Sequence, residues 1–304
     1  MLPEVQVLMS TYNGEKYLEE QIESILQQKN VKVNLLVRDD GSTDRTIDIL
    51  KKYADEKKLK FYLESNIGYA KSFMNLLWNA EIGMDYYAFS DQDDVWLPEK
   101  LISGINKIKS NSCDGPILYA SALQRVNANL EYLKLQKFDK LVLSLGAEFT
   151  RHRLAGCTFI FNKKLLELLT LNKDVSMMDC SHDKLATILC LACGGKVIFD
   201  KNSYILFRRH DQNASVDGLP TYKKICVDIC NFYKHKNNES QLAKKIAEIY
   251  SEKLDGNAHK FLCKISFYRT GIISKIKLLV SSDINCGFWY YNLFVKFMIV
   301  LGKF

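Results

Sequence analysis

The sequence predicts an α/β fold: a mostly parallel sheet flanked by helices, followed by a helical C-terminal extension. Three observations predict it. Over the first hundred residues, short apolar runs alternate with stripes of apolar residues at helical spacing. Each of the first four apolar runs ends in a polar loop, as strands do that carry a ligand site beyond their carboxyl ends. From residue 220 onward the alternation stops and the pattern is helical throughout.

Taken in order, residues 5–9 form the first strand, and Tyr17, Leu18, Ile22, Ile25 and Leu26 form the inward stripe of a helix. Residues 33–37 form the second strand, which ends at Arg38-Asp39-Asp40-Gly41-Ser42. Ser42 or Thr43 suits the cap of the next helix, which turns Ile47 and Leu50 inward. Residues 59–63 form the third strand, and Asn66-Ile67-Gly68 turns into a helix with Tyr69, Phe73, Leu76, Leu77 and Ala80 on one face. Residues 86–89 form the fourth strand, and Pro98 restarts the chain as a helix carrying Leu97, Leu101, Ile105 and Ile108. The parallel arrangement gathers four loops at one sheet edge: Ser10-Thr11-Tyr12-Asn13, Asp39-Asp40, Asn66-Ile67-Gly68, and Asp91 to Asp94. Tyr12 suits stacking on a base, and Asp40 suits the ring N–H of uracil or thymine, although singly these residues read equally well as a packing aromatic and a turn.

The fourth loop carries the chemistry. Asp91, Asp93 and Asp94 crowd three carboxylates into four residues, flanked by Tyr, Phe and Trp rather than by the polar residues of an ordinary surface turn. Such carboxylates repel one another and gain nothing from packing, so the expectation is a hard divalent cation with oxygen ligands, magnesium or manganese. These ions are commonly held by one or two carboxylates together with substrate phosphates, which implies a diphosphate partner. No G-x-G-x-x-G or G-K-[ST] is present, which argues against a dinucleotide fold or a P-loop.

Beyond residue 101 the pattern loosens. Residues 117–123 and 154–161 read as strands, and residues 124–153 between them as irregular, with Arg151, His152 and Arg153. Residues 179–195 read as a polar loop and a buried helix, with Asp183 at its start, where a carboxylate suits the helix dipole or serves as a cap. Two further strands follow at 196–199 and 204–207. The turn from Arg208 to Asn213 then places Arg208, Arg209 and His210 where they could hold phosphates or lie in a solvated basic surface.

Charge divides the chain. Residues 1–219 carry 28 Lys+Arg and 29 Asp+Glu, whereas residues 220–304 carry 14 and 6, so the net charge of +7 belongs to the tail. The expected organisation is one catalytic domain over 1–219 and a basic helical region over 220–304. No nucleic-acid motif is present, and an anionic membrane or lipid-linked acceptor fits the tail better. Its last stretch, CGFWYYNLFVKFMIVLGKF, is short for a spanning helix; it suits either packing, including self-association into a homo-oligomer, or a membrane interface with Trp289, Tyr290 and Tyr291 at headgroup depth. The first apolar run is too short for a signal peptide, and nine cysteines without one point to reduced thiols in the cytoplasm. Cys190 and Cys193 would need Cys226 and Cys230 to hold zinc, a spacing that argues against it.

The strings VQVLMSTYNGEKYLEEQIESIL, VRDDGSTDRT, Ser65 to Asn75 and FSDQDDVWLPEKL resemble glycosyltransferase family 2, with its GT-A, Rossmann-like fold, over about residues 5–213. Chains with a DQDDVW turn resemble bacterial rhamnosyl-type transferases of cell-surface polysaccharides. The resemblance implies that Ser10, Tyr12, Asn13, Asp39, Asp40, Asn66 and Gly68 serve the nucleotide-sugar, with Arg209 and His210 on its diphosphate. It implies that Asp91 and Asp93 form the DXD pair with His210 as a further metal ligand, and that Asp183 is the catalytic base, here preceded by His182 where the family commonly has Glu. The implied activity is inverting, metal-dependent transfer of a sugar from a TDP- or UDP-donor, rhamnose before galactose or glucose, to an oligosaccharide or lipid-linked acceptor. It would serve capsule, O-antigen or cell-wall synthesis at the inner face of the plasma membrane. Two other readings are weaker. Asp91 to Val95 also fits the D-x-D-x-[TV] motif of haloacid-dehalogenase-like phosphatases, but that fold places the motif on its first strand. A non-catalytic nucleotide-sugar-binding subunit would not need Asp91, Asp93 and Asp183 intact.

Overall fold

The computed structural model describes residues 1–111, 113–136, 138–173, 180–210 and 238–304. The expectations for Asp179, for residues 211–213 and 220–237, and for Cys226 and Cys230 lie outside the described residues.

The first four strands, β1 (Glu4–Thr11), β2 (Lys32–Asp39), β3 (Lys60–Leu63) and β4 (Tyr86–Ser90), run parallel in the order β3-β2-β1-β4. Register aligns their carboxyl ends: Thr11 lies opposite Asp39, and Met9 opposite Ser90. Val5, Val7, Leu8 and Met9 are all fully buried, because helices cover both faces and leave no need for a polar alternation. Those helices are α1 (Leu18–Leu26), α2 (Thr46–Asp55), α3 (Tyr69–Trp78) and α4 (Lys100–Ser110). Leu18, Ile22 and Ile25 of α1, and Leu101, Ile105 and Ile108 of α4, are the apolar stripes that the sequence places inward.

The sheet continues through β8 (Ile160–Asn162), β6 (Ile117–Val126), β9 (Lys196–Arg208) and the short β5 (Val95–Trp96), with β7 (Tyr132–Leu135) paired on β6. β8 runs antiparallel to β4 and β6, whereas β6 and β9 are parallel. Several expectations are corrected here. Ser42 caps no helix: α2 starts at Thr46 without a side-chain cap, because the Ser42 hydroxyl is drawn to Asp39 at 2.6 Å. Residues 154–161 are not one strand: a 3₁₀ turn at Gly156–Thr158 interrupts the run, and only its end pairs as β8. Residues 124–153 are more ordered than expected, holding the end of β6, β7 and helix α5 (Leu145–Thr150), which Ser144 caps by accepting from Ala147 N at 3.2 Å. The two strands expected at 196–199 and 204–207 are a single strand, β9, irregular where it passes β6.

Gly104 marks the tightest packing of α4 on the sheet. A Cβ there would meet the Tyr119 ring at 2.9 Å, and that ring is fixed by its hydroxyl on Asp200 at 3.3 Å. Gly104→Ala is therefore expected to destabilise the fold by about 1–3 kcal/mol through overpacking, read by urea unfolding. An unchanged midpoint would mean that α4 can slide outward.

The chain divides into two compact units. The first comprises the described residues of Met1–Phe138, Leu154–Cys190 and Gly194–Arg209, and includes α6 (Lys163–Leu169) and most of α7 (His182–Ala192). The second comprises the described residues of Asp139–Arg153, Leu191–Cys193 and His210–Phe304. It contains α5, α8 (Asn238–Ile249), α9 (Gly256–Ser266), α10 (Ile272–Leu279) and α11 (Trp289–Val300). Its core is built from Leu242, Ile246, Phe261, Leu262, Ile265, Leu278, Val295 and Met298. Phe304 is buried there, its backbone N–H donating to the Tyr268 hydroxyl at 2.9 Å. Among the described residues, no helix is long and apolar enough to cross a membrane.

Candidate active site

Aligned strand ends bring the first three polar loops into one hydrogen-bonded network. Asn13 adopts φ 48°, a left-handed conformation that Asn tolerates. There its N–H donates to Ser42 Oγ at 2.9 Å, and its Oδ1 accepts from Thr43 N at 2.8 Å. Asp39 is buried, and both its oxygens are engaged: Oδ1 accepts from Gly41 N and Ser42 N, Oδ2 from the Thr11 and Ser42 hydroxyls. It shapes the turn from within. Asp40 is also buried, ion-paired with the buried Arg38 guanidinium, and accepts from Ile67 N and Gly68 N at 3.0 Å. Gly68 itself takes φ 83°, and the Asn66 side chain accepts from its N–H at 3.1 Å. Arg38 also donates to Ser72 Oγ at 3.0 Å, and Ser72 shares a 2.5 Å hydrogen bond with Ser10. The ring of Tyr12 is left 47% exposed at the rim.

The acidic turn is tied to this network by Gln92. Its amide accepts from Tyr12 N at 2.8 Å and donates to Tyr12 O at 3.0 Å. Gly14 makes room for it, since a Cβ at that position would overlap the Gln92 amide. The three aspartates divide their duties. Asp91 and Asp93 are half-buried at the turn, whereas Asp94 is fully buried, which corrects the expectation that none of the three gains from packing. Asp94 Oδ1 accepts from Arg208 N at 3.1 Å, and the Cys157 thiol lies beside the carboxyl. Arg208 staples the turn from behind: Nε donates to Asp93 O at 2.9 Å, Nη1 to Ala128 O, and Nη2 pairs with Glu20.

Beneath the turn lies a buried polar pocket. Lys100, in the first turn of α4, is 1% exposed and holds its ammonium 3.5 Å from the centre of the Trp96 ring. Burial pulls its pKa down to about 7, against the opposing pull of Cys157, Asp94 and Asp91. Burial, with Asp93 and Asp183 nearby, pushes Asp91 up to about 7; Cys157 and Lys100 oppose the rise. Burial and the same carboxylate crowding push Asp94 well above the usual range, and the buried Cys157 thiol rises likewise. Carboxyls raised by burial and by one another are what a divalent cation would relieve. The donor atoms of Asp91, Asp94 and Cys157 lie within 4.8 Å of one another, with Asp93 near enough to act on Asp91; the carboxylates offer the oxygen ligands that a hard cation takes, and the buried thiol does not.

Asp183 reaches the same place from another element. It sits in the first turn of α7, half-buried, with Oδ1 accepting from Lys184 N at 2.8 Å, and it is near enough to raise the pKa of Asp91. The preceding His182 fixes that turn. Its ring stacks on Phe73 at 4.0 Å and meets Phe89 edge-on at 4.8 Å. Gly156 allows this approach, because a Cβ there would meet His182 Nε2 at 2.6 Å and Asp183 Cβ at 3.2 Å.

The first unit thus brings together Ser10, Tyr12, Asn13, Asp39, Asp40, Asn66, Gly68, Asp91, Asp93 and Asp183. Arg209 closes β9, its N–H donating to Val126 O at 2.8 Å, and His210 is half-buried and belongs to the second unit. Sequence reasoning missed Gln92, Lys100 and Cys157, and it offered Arg208 to phosphates, whereas that side chain is buried and braces the turn. Only Lys100 had a local signal, one helical turn past the acidic loop. A cavity of about 690 Å³ at the amino ends of β4 and β6, lined by Asp85, Ile108, Lys109 and Lys164, shares no residue with the cluster.

Comparison with known proteins finds a family model, related sequences and similar folds. The family model described as "Glycosyl transferase family 2" matches residues 6–169. The dTDP-rhamnosyl transferase RfbG of Shigella flexneri is 27% identical over 236 residues, covering 71% of this chain and 78% of that protein. A putative teichuronic acid biosynthesis glycosyltransferase, TuaG of Bacillus subtilis, is 36% identical over 113 residues, covering 36% of this chain and 44% of its own. Among solved structures, S. aureus TarS 1–349 in complex with UDP-GlcNAc superposes with a TM-score of 0.56 at 19% identity, covering 99% of this chain and 93% of that chain. Against a longer TarS structure the chain spans 46% of its length.

Proposed function

The chain belongs to glycosyl transferase family 2, whose members are inverting glycosyltransferases, and from that premise we propose that it moves a sugar from a TDP- or UDP-donor to a saccharide acceptor. Rhamnose is favoured as the sugar, with galactose or glucose as alternatives, and the acceptor is an oligosaccharide or lipid-linked saccharide of a bacterial surface polysaccharide. Its similarity to a protein named as a dTDP-rhamnosyl transferase supports the donor. The observation that carries the reading is the approach of Asp183, from α7, to Asp91 of the acidic turn.

The roles follow from position. The Asp183 carboxylate takes the proton of an acceptor hydroxyl, whose oxygen attacks the anomeric carbon from the face opposite the diphosphate. The bond from that carbon to the diphosphate oxygen breaks, and the configuration inverts. Manganese or magnesium, held by Asp91 and Asp93, would supply charge neutralisation of the leaving group. Asp94 and Lys100 stand behind these two side chains as an internal carboxylate and counter-ion. The three loops bearing Ser10, Tyr12 and Asn13, then Asp40, then Asn66 and Gly68 receive the nucleotide. Work on a lipid-linked acceptor would place the protein peripherally on the inner face of the plasma membrane.

A panel of TDP- and UDP-sugars, assayed for nucleoside diphosphate release with acceptor, with and without manganese, tests the reading. Release from a single donor that depends on acceptor is the expected result; release from none would overturn it. Asp93→Ala is expected to weaken manganese-dependent donor binding by about tenfold or more, since removing even a supporting partner of a metal ligand costs that much. Equal affinity in titration calorimetry would remove Asp93 from the metal.

A further inference from the structure

We infer that the α10–α11 face of the second unit docks on an anionic lipid bilayer surface. Both helices turn an apolar stripe outward. On α10 and just past it, Ile272, Ile273, Ile276 and Val280 are 51–76% exposed, one, four and eight residues apart on one side. On α11, Trp289, Leu293, Phe297 and Val300 are 52–74% exposed at the same helical recurrence, while Tyr291, Val295, Met298 and Ile299 fill the opposite, buried side. Lys275 Nζ donates to Val300 O at 3.1 Å, so the two stripes adjoin. Eight large apolar side chains on adjoining helices exceed the scattered exposure of an ordinary surface and mark a site of contact.

Charge selects the occupant. Residues 256–304 carry seven Lys+Arg and a single acid, Asp283, which is already engaged by Ser281 at 2.7 Å and Lys264 at 3.9 Å. A second copy would set like charge against like charge, whereas anionic headgroups complement the rim formed by Lys275, Lys277, Lys296 and Lys303. Trp289 and Tyr290 beside the stripe suit headgroup depth, and α11, at 12 residues, is too short to span. An apolar face with a basic rim lies in the interface plane. The inference rests on the membrane-facing part of the proposed function and uses no residue assigned to donor, metal or base.

The test is sedimentation of the full chain with vesicles of phosphatidylcholine, alone or mixed with phosphatidylglycerol. Binding is expected only to the mixed vesicles, to weaken with salt, and to fall by about tenfold or more both in Lys277→Glu/Lys296→Glu and in Trp289→Ser/Phe297→Ser. Circular dichroism melts confirm that the variants fold. Wild-type protein that stays in the supernatant with mixed vesicles would overturn the inference, as would a dimer in light scattering that Trp289→Ser/Phe297→Ser converts to monomer. Nucleoside diphosphate release with a soluble acceptor, measured on the same samples, reads the transferase proposal separately: failure to sediment leaves it standing, and failure to release leaves the docking result standing.

Discussion

Asp183→Asn is expected to lower sugar transfer by about 10²–10⁴-fold, the usual contribution of a positioned general base, while donor binding stays within about twofold. The two side chains have the same shape, and the amide oxygen can still accept from Lys184 N, the bond that orients Oδ1 in the first turn of α7. Asn lacks only the capacity to take a proton. His182 remains held between Phe73 and Phe89, so the turn itself is not disturbed. Single-turnover release of nucleoside diphosphate with saturating donor and acceptor measures the loss, and calorimetric titration of donor measures the binding. Wild-type turnover in this variant would put the base elsewhere. Loss of donor binding in step with turnover would make Asp183 a structural group.

Lys100→Met is expected to destabilise the fold by about 3–5 kcal/mol, the cost of leaving a buried charge without its partner. Lys100 is an unusual inhabitant of a core: its ammonium has no hydrogen bond and lies against the Trp96 ring. It is retained there by Cys157 and by the carboxyls of Asp94 and Asp91, which oppose the downward pull of burial on its pKa. Methionine matches the stem of the side chain and removes the charge alone. The buried Asp94 carboxyl would then keep its hydrogen bond from Arg208 N and lose its counter-charge. Adding Asp94→Asn to Lys100→Met should recover part of the loss, because the amide oxygen keeps that bond and carries no charge. Urea unfolding of the two variants measures both effects. A single-variant cost under about 1 kcal/mol, in the range of an exposed ion pair, would mean that Lys100 is not the counter-ion of the turn.

The parallel half of the sheet was legible because its signals are local. Apolar runs with Val, Ile and Leu, followed by helical stripes such as Leu18, Ile22 and Ile25, fix strand and helix without reference to the rest of the chain. The acidic turn stood out because carboxylates at such density are conspicuous in a sequence, whereas Asp183 was singled out by the family resemblance. What supports them was not legible. Cys157 reaches the turn from more than sixty residues away in the chain, and nothing in its own surroundings signals the contact; Arg208 was read as a phosphate holder, because its burial against Asp93 O and Glu20 belongs to the assembled sheet. Ser42 shows how a tertiary bond overrides a local rule: its hydroxyl serves Asp39 rather than the helix that follows. Residues 154–161 show the converse, in which an apolar run reads as a strand although Gly156 is needed to admit His182. Asp94 was read as one of three repelling carboxylates at a cation, because burial beside Lys100 is a property of the assembled sheet and leaves no trace at the level of residue type.

Gln92 answers both the N–H and the C=O of Tyr12, so a side chain there does the work of one rung of sheet. The rim aromatic and the acid-bearing bend are thereby mechanically joined across eighty residues of chain. A load placed on either one is passed to the other through that pair of hydrogen bonds rather than along the backbone between them.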